Sequence, residues 1–203
     1  MNLLIDLVPE TVTIDNEEYG INSDFRTSIL FELLMQDSSV DDGDKLIMAL
    51  NLYYEYIPPK QYWKEAIEKI LWFYRCGKDI ELSKGKGKGK SDIKIYSFEH
   101  DDDYIYAAFM DQYGIDLQDI EELHWWKFKA MFKSLKEDNE IVKIMGYRSI
   151  DLSKIKDKEE KTYYRKMKEL HKIPVSQSEK EKLNEIEKAL LNGGDISKLL
   201  LQT

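Results

Sequence analysis

The order of apolar and polar residues at the start of the chain predicts a short β-hairpin followed by a helix. Residues 11–14 and 18–21 each alternate between apolar and polar side chains, and the polar residues 15–17 separate them. Alternation with a period of two is typical of a half-buried strand. Residues 22–24 are Asn, Ser and Asp, which favour a helix N-cap, and we expect that helix to run to about Met35.

Apolar residues spaced three or four positions apart predict two further helices before residue 80. The second helix starts near residues 42–44, and Pro58-Pro59 stops it, because proline ends one helix yet is tolerated in the first turn of the next. Its apolar side comprises Leu46, Ile47, Leu50 and Tyr54. The third helix runs from about residue 60 to residue 74. Its apolar side comprises Trp63, Ile67, Ile70, Leu71 and Tyr74.

A run of alternating lysine and glycine divides the chain. Residues 84–91 read Lys-Gly-Lys-Gly-Lys-Gly-Lys-Ser, and no side chain in this run suits a hydrophobic core. We therefore expect residues 83–91 to be a flexible linker. It would join an N-terminal hairpin and helical domain, residues 1–82, to a C-terminal helical domain, residues 92–203. The pattern leaves open whether the two parts pack together.

Beyond this linker the pattern predicts one short strand and five helices. Residues 93–96 resemble a strand, and Gly114 is suited to close the first of the helices. The helices span about residues 101–113, 119–135, 139–147, 158–171 and 178–191. The predicted fold class is therefore mainly α, with a short β-hairpin at the start of the N-terminal part.

Composition and charge exclude some classes of function. The chain has 203 residues, of which 42% are hydrophobic, and a net charge of −9. A chain with this hydrophobic content can bury a core. Its negative charge is unlike that of a typical nucleic-acid-binding protein, although residues 153–203 carry a net charge of +3. Cys76 is the only cysteine, which fits a reducing compartment. With no signal peptide or membrane-spanning run in the sequence, we expect a cytosolic protein.

Gly89-Lys90-Ser91 matches the end of a phosphate-binding P-loop. The full motif requires a glycine five positions before Gly89, where this chain has Lys84, and a helix directly after it. Residues 93–96 instead favour a strand. We interpret the match as part of the linker.

Two acid–histidine groups resemble fragments of metal sites. Residues 100–103 are His-Asp-Asp-Asp, but consecutive helical residues point about 100° apart and do not converge on one ion. Glu121 and His124 have the spacing used in di-iron bundles, which also need a second such pair that the chain lacks. We favour a hydrogen-bonded core histidine for His124. The sequence thus indicates no catalytic, cofactor-binding or metal-binding residue, and we expect a protein that is not an enzyme.

The pair Trp125-Trp126 is the most informative candidate for partner binding. The two indoles lie about 100° apart on a helix, so both cannot face one core layer. One would pack inside, and the other would contact a partner or a second intramolecular layer; both alternatives stay open. Lys129 and Lys133 lie on the narrow polar strip of the same predicted helix and complete this candidate set.

The last predicted helix carries a second candidate contact. Leu183, Ile186 and Leu190 have heptad-like spacing, with Glu and Lys around them. Such a stripe suits a helix-in-groove contact with a partner, or docking on the same domain.

Several motifs resemble one family of phage proteins. The residues that carry the resemblance are Tyr-Ile-Tyr-Ala-Ala-Phe at 104–109, Tyr-Gly-Ile-Asp-Leu at 113–117 and Leu-His-Trp-Trp-Lys-Phe at 123–128, supported by residues 7–10, 19–26 and 144–148. In this order and spacing they resemble the "gene product fifteen" family of tail-region proteins from phages and prophages of Gram-positive bacteria. The resemblance covers most of the chain up to about Pro174.

The resemblance implies a role in assembling the phage tail. Members of the family look like companions of the tape-measure protein, and such neighbours generally resemble tail-assembly chaperones. We therefore expect a chaperone in the host bacterial cytoplasm that binds the tape-measure protein, and in addition the major tail protein, as a homo-oligomer or in several copies on one partner. The alternatives are a structural component of the tail or its tip, and a nucleic-acid-binding protein acting through the Gly-Lys linker and the basic tail. The family supplies no catalytic residue, cofactor or metal.

Overall fold

A computed structural model describes residues 2–78 and 94–174 of the chain. Within these ranges the chain is mainly helical, with seven α-helices and one two-stranded hairpin, so the predicted fold class is confirmed. The predicted linker, residues 83–91, and the predicted helix near residues 178–191 lie outside the described residues.

The β-hairpin forms where the alternating pattern predicts it. Strands β1 and β2 span Thr11–Ile14 and Glu17–Gly20 and pair antiparallel. Asp15 and Asn16 have φ of 49° and 65°, the left-handed conformation that a two-residue hairpin turn requires and that Asp and Asn tolerate. Glu17 therefore belongs to β2 rather than to the turn. Val12 and Ile14 are buried, so one face of β1 packs on the core.

Three helices follow the hairpin. Helices α1, α2 and α3 span Phe25–Gln36, Asp42–Tyr53 and Trp63–Tyr74. Asp24 and Asp41 accept hydrogen bonds from backbone N–H groups in the first turns of α1 and α2, which satisfies donors that a helix start leaves unpaired. Helix α2 ends at Tyr53, before the predicted stop at Pro58-Pro59. The Tyr54 side chain instead turns towards α3, where its hydroxyl donates to the Ala66 carbonyl at 2.9 Å.

Four more helices are described after residue 94. Helices α4, α5, α6 and α7 span Asp102–Tyr113, Trp125–Lys133, Glu140–Ser149 and Lys158–Leu170. Gly114 closes α4 in the left-handed conformation, with φ of 64°, as predicted. The prediction of a helix over residues 119–135 was wrong at its start, because residues 119–124 are not helical. Residues 117–119 form a turn, and Leu123 and Trp125 pair with the segment that enters α1, so the helix begins only at Trp125.

Residues 94–96 were predicted to belong to a strand, and they form none. Here the backbone polar groups form hydrogen bonds with side chains rather than with a neighbouring strand. The carbonyl of Ile95 accepts a hydrogen bond from the Arg148 guanidinium, and the backbone N–H of Ser97 donates to the Asp101 carboxylate.

The segments on either side of residues 79–93 share one hydrophobic core. The described residues up to Lys172 form a single compact unit, in which α1 contacts α5. At its centre the Phe128 ring of α5 stacks on Phe25 of α1 and on Phe109 of α4, each at 4.9 Å between ring centroids. The two parts that the Gly-Lys run separates along the chain are therefore packed together in space.

Candidate protein-binding site

The segment that enters α1 pairs with the segment that enters α5. The backbone N–H of Phe25 donates to the Leu123 carbonyl at 2.9 Å, and the N–H of Trp125 donates to the Ser23 carbonyl at 2.7 Å. Two bonds of this kind make an isolated antiparallel bridge between Asp24 and His124. Motifs that lie about one hundred residues apart thus meet at one point.

Arg26 fixes the loop between α4 and α5 against this bridge. Its guanidinium lies 3.2 Å from the Asp24 carboxylate and donates to the carbonyls of Leu117 and Ile120, at 2.8 and 2.9 Å. It also lies 4.6 Å from the centroid of the Phe25 ring. The planar guanidinium suits several fixed acceptors at once, so the loop is held as one wall of a cleft.

A cleft of about 570 Å³ lies between α1, α4 and this loop. Its apolar lining comprises Phe25, Ile29, Phe98, Ile105, Leu117 and Phe128. Its polar lining comprises Arg26, Asp102, Asp103, Tyr106 and Gln118. A concave surface that combines apolar side chains with polar groups is the usual form of a binding site.

The edge of the cleft is acidic. Asp102 and Asp103 are exposed in the first turn of α4, where carboxylates face the positive end of the helix dipole. On the loop side, the Asp116 carboxylate lies near the Tyr106 hydroxyl, and Asp119 is also near. The interaction with Asp116, followed by desolvation, raises the pKa of Tyr106. The charge of Arg26 is already matched by Asp24, so carboxylates dominate the edge.

Residues 2–8 form a second apolar surface. Leu4, Ile5 and Leu7 are exposed by 92%, 80% and 94% of their surface. A shallow cavity of about 380 Å³ separates the segment from the outer side of α5, and Leu3 and Met131 are among the residues that line it. Three highly exposed large apolar side chains within four residues are uncommon on a monomer surface and mark a contact site.

Trp125 and Trp126 are both buried, with 0% and 2% of their surface exposed. The alternative in which the second indole packs in another intramolecular layer is the one observed. Their Nε1–H groups donate to the carbonyls of Tyr74 at 2.8 Å and Phe73 at 2.7 Å, which belong to the last turn of α3. The last carbonyls of a helix have no partner within it, so the tandem indoles cap α3.

The remaining predicted partner-binding residues lie elsewhere. Lys129 is half-buried, with its amine 5.0 Å from the Trp125 ring and 3.2 Å from the Tyr96 hydroxyl, so it covers the core. Lys133 is exposed near the end of α5. Neither lysine lines the cleft. The other three predicted contact residues, Leu183, Ile186 and Leu190, lie outside the described residues.

The Cys76 thiol is half-buried at the end of α3. Burial raises the pKa of Cys76, and the nearby amines of Lys129, Lys78 and Lys133 act in the opposite direction with smaller effect. A thiol with a raised pKa is a poor nucleophile at neutral pH.

His124 is the hydrogen-bonded core histidine that the sequence favours, with 5% of its surface exposed. Its Nδ1 accepts a hydrogen bond from the Trp126 backbone N–H at 3.1 Å, so it caps α5. The neutral ring then carries its proton on Nε2 and donates to the Pro9 carbonyl at 3.0 Å. His124 thus ties residues 2–9 to the start of α5.

Acid is expected to destabilise the protein through His124. Burial is the main reason that the pKa of His124 is lowered; Lys127 adds to the effect, and the Pro9 carbonyl, Glu122 and Glu10 oppose it. The folded state therefore favours the neutral ring. The contribution of the neutral His124 ring to the free energy of unfolding should be complete above the unfolded pKa of about 6.5. It should be lost as pH falls towards the folded pKa, at up to about 1.4 kcal/mol per pH unit.

Urea unfolding at pH 7.5, 6.5 and 5.5 measures this loss. His124→Asn keeps an N-cap acceptor but cannot titrate, so its stability should change less with pH than that of the wild type. His100→Asn is the matched control, because His100 is exposed. Equal pH dependence in the wild type and His124→Asn would contradict the assignment.

A buried ion pair was not predicted from the sequence. The Arg148 guanidinium makes two hydrogen bonds to the Asp101 carboxylate, at 2.6 and 2.8 Å, and the two side chains are only 8% and 2% exposed. Arg148 also donates to the carbonyls of Ile95 and His171. The pair joins α6 to the start of α4, directly before Asp102 and Asp103 at the edge of the cleft. From the sequence, Asp101 was predicted only to start a helix and to belong to a fragment resembling a metal site.

Over residues 2–78 and 94–174, no cluster of three or more His, Cys, Asp or Glu side chains could hold a metal ion. Over the same ranges, no helix has the length and hydropathy to cross a membrane.

Comparison with known proteins supports the resemblance seen in the sequence motifs. The family model described as bacteriophage Gp15 protein matches residues 4–173. No curated protein and no solved structure matches the chain. The family match covers the hairpin, all seven described helices and the cleft. The chain therefore belongs to the bacteriophage Gp15 protein family.

Proposed function

We propose that this protein is a phage tail-assembly chaperone that binds the tape-measure protein in the host cytoplasm and acts by binding rather than by catalysis. The observation that carries the proposal is the open apolar cleft between α1 and α4. A groove of this kind accepts the apolar stripe of an amphipathic helix. Membership of a phage protein family supplies the phage context.

The physical need for such a chaperone follows from the partner. A long helical chain with apolar stripes aggregates unless those stripes are covered before the tail protein polymerises around it. One cleft of about 570 Å³ covers only a short stretch of helix. Several copies would therefore bind along one tape-measure chain, and the major tail protein would displace them as it assembles.

Co-expression with the tape-measure protein tests the proposal. We expect the wild type to raise the soluble fraction of the tape-measure protein severalfold and to co-purify with it. Ile29→Trp places a larger uncharged side chain in the cleft and should remove most of this effect. Ile29 lines the cleft and is half-buried, so the fold should tolerate the change.

The matched control is Leu30→Trp, because Leu30 is the next residue on α1, is 52% exposed and does not line the cleft. This variant should act like the wild type. Unchanged solubility of the tape-measure protein with the wild type would refute the proposal. Mass spectrometry of purified phage particles separates a chaperone, which should be absent, from a structural tail component.

A further inference from the structure

We infer that the cleft between α1 and α4 selects an amphipathic helix whose apolar stripe is flanked by lysine or arginine. The inference rests on the proposed function in that it takes this cleft as the binding site. It adds the chemistry of the occupant, which follows from the charges at the cleft edge.

The edge offers unmatched negative charge. Asp102 and Asp103 line the cleft and are exposed, and neither forms an ion pair with any residue of the described ranges 2–78 and 94–174. Asp116 and Asp119 lie near Tyr106, in the loop that carries the lining residues Leu117 and Gln118. Basic side chains that flank an apolar stripe would find Asp102 and Asp103 in the lining and these two carboxylates next to it.

The one cation that lines the cleft does not offset these acids. Arg26 directs its guanidinium to the Asp24 carboxylate and to two carbonyls of the loop, at 2.8 to 3.2 Å. Its donors are therefore committed to holding the cleft wall. An acidic helix in the cleft would face Asp102 and Asp103 without a free cation to pair with.

Other occupants fit less well. Residues 2–8 of a second copy would bring an apolar segment, but the only charged side chain in it is that of Asp6, which the edge repels. A nucleic acid or an anionic membrane surface would be repelled for the same reason. A basic amphipathic helix satisfies both the apolar lining and the acidic edge.

Two synthetic peptides can test the inference. Both are about 18 residues long with leucine at i, i+3, i+4 and i+7, and they differ only in flanking residues, which are lysine in one and glutamate in the other. Fluorescence anisotropy with the full chain measures the dissociation constants at low and high salt. We expect the lysine peptide to bind about tenfold more tightly at low salt, with a smaller ratio at high salt.

Paired variants locate the effect. Asp102→Asn combined with Asp103→Asn should reduce the preference to about twofold, as expected when two exposed charge pairs are lost. Glu159→Gln combined with Glu160→Gln is the matched control, because these acids also lie in a first helical turn, that of α7, and are exposed. The control should keep the full preference. Ile29→Trp should weaken binding of both peptides.

The outcomes separate this inference from the proposed function. Equal affinity for the two peptides, or an equal loss in both acid-pair variants, overturns the inference. So does self-association of the wild type that Ile29→Trp abolishes, because it would place a second copy in the cleft. If the lysine peptide binds as described but the tape-measure protein does not co-purify, the proposed function fails and the inference stands. If the tape-measure protein co-purifies and neither peptide binds, the reverse holds.

Discussion

Replacing Arg148 with alanine is expected to lower the free energy of unfolding by about 3–5 kcal/mol. The substitution leaves the Asp101 carboxylate, which is 2% exposed, without its bidentate partner. A buried charge without a partner costs far more than the lost attraction alone, because water cannot replace the missing donors. Urea unfolding followed by circular dichroism measures the difference.

The control for this prediction is Lys143→Ala. Lys143 and Glu140 form an exposed pair at 3.2 Å on α6, the same helix that carries Arg148. An exposed pair contributes about 0–1 kcal/mol. Removing Asp101 as well, in Asp101→Ala combined with Arg148→Ala, should cost less than the sum of the two single changes. A cost for Arg148→Ala no larger than that for Lys143→Ala would refute the prediction.

The ion pair also bears on the cleft. Asp101 directly precedes Asp102 and Asp103, so the residue that anchors the start of α4 also positions the two carboxylates at the cleft edge. On the opposite wall Arg26 holds the loop through Leu117 and Ile120. Two arginines with fixed partners thus hold both sides of one apolar cleft. Such rigid positioning lowers the entropic cost of binding a partner.

The helices and the hairpin could be predicted because their signals are local. Each helix carries apolar residues at helical spacing, and Asp24, Asp41 and Gly114 mark ends through their own side chain or backbone preference. The error at residues 119–124 has a different origin. The spacing of Ile120 and Leu123 fits a helix, but a turn at residues 117–119 and the pairing of Leu123 and Trp125 with the segment entering α1 interrupt it. A pairing between residues about one hundred positions apart leaves no local mark in the sequence.

The candidate site could be predicted only in part. The cleft combines Phe25, Ile105 and Leu117 from three separate segments, and no spacing within one segment indicates that they converge. For Trp125-Trp126 the sequence left open a partner contact, because tryptophan is frequent at binding hot spots, and a second intramolecular layer. The large apolar ring of tryptophan also stabilises a hydrophobic core, and the sequence alone does not distinguish a core position from a partner contact. Of the exposed apolar residues in the segment 2–8, the sequence assigned only Leu7 to a family motif and none to a surface.

Replacing Trp125 with alanine is expected to lower the free energy of unfolding by about 3–5 kcal/mol, through the cavity it leaves. The indole is fully buried, stacks on Tyr74 and Phe128 at 5.5 and 5.7 Å between centroids, and donates to the Tyr74 carbonyl. Trp125→Phe keeps most of the ring contact but leaves that carbonyl unpaired. We expect it to cost about 1–3 kcal/mol.

The matched control is Trp63→Phe. Trp63 also donates its indole N–H to a carbonyl, that of Pro58 at 3.0 Å, but the side chain is only half-buried. Water can then replace the lost donor, so the cost should be smaller than for Trp125→Phe. The same variants decide between a core role and a contact role. If Trp125→Ala left urea unfolding unchanged but abolished co-purification with the tape-measure protein, Trp125 would be a partner contact. We expect the opposite order: stability is lost first, and binding falls only as the folded fraction falls.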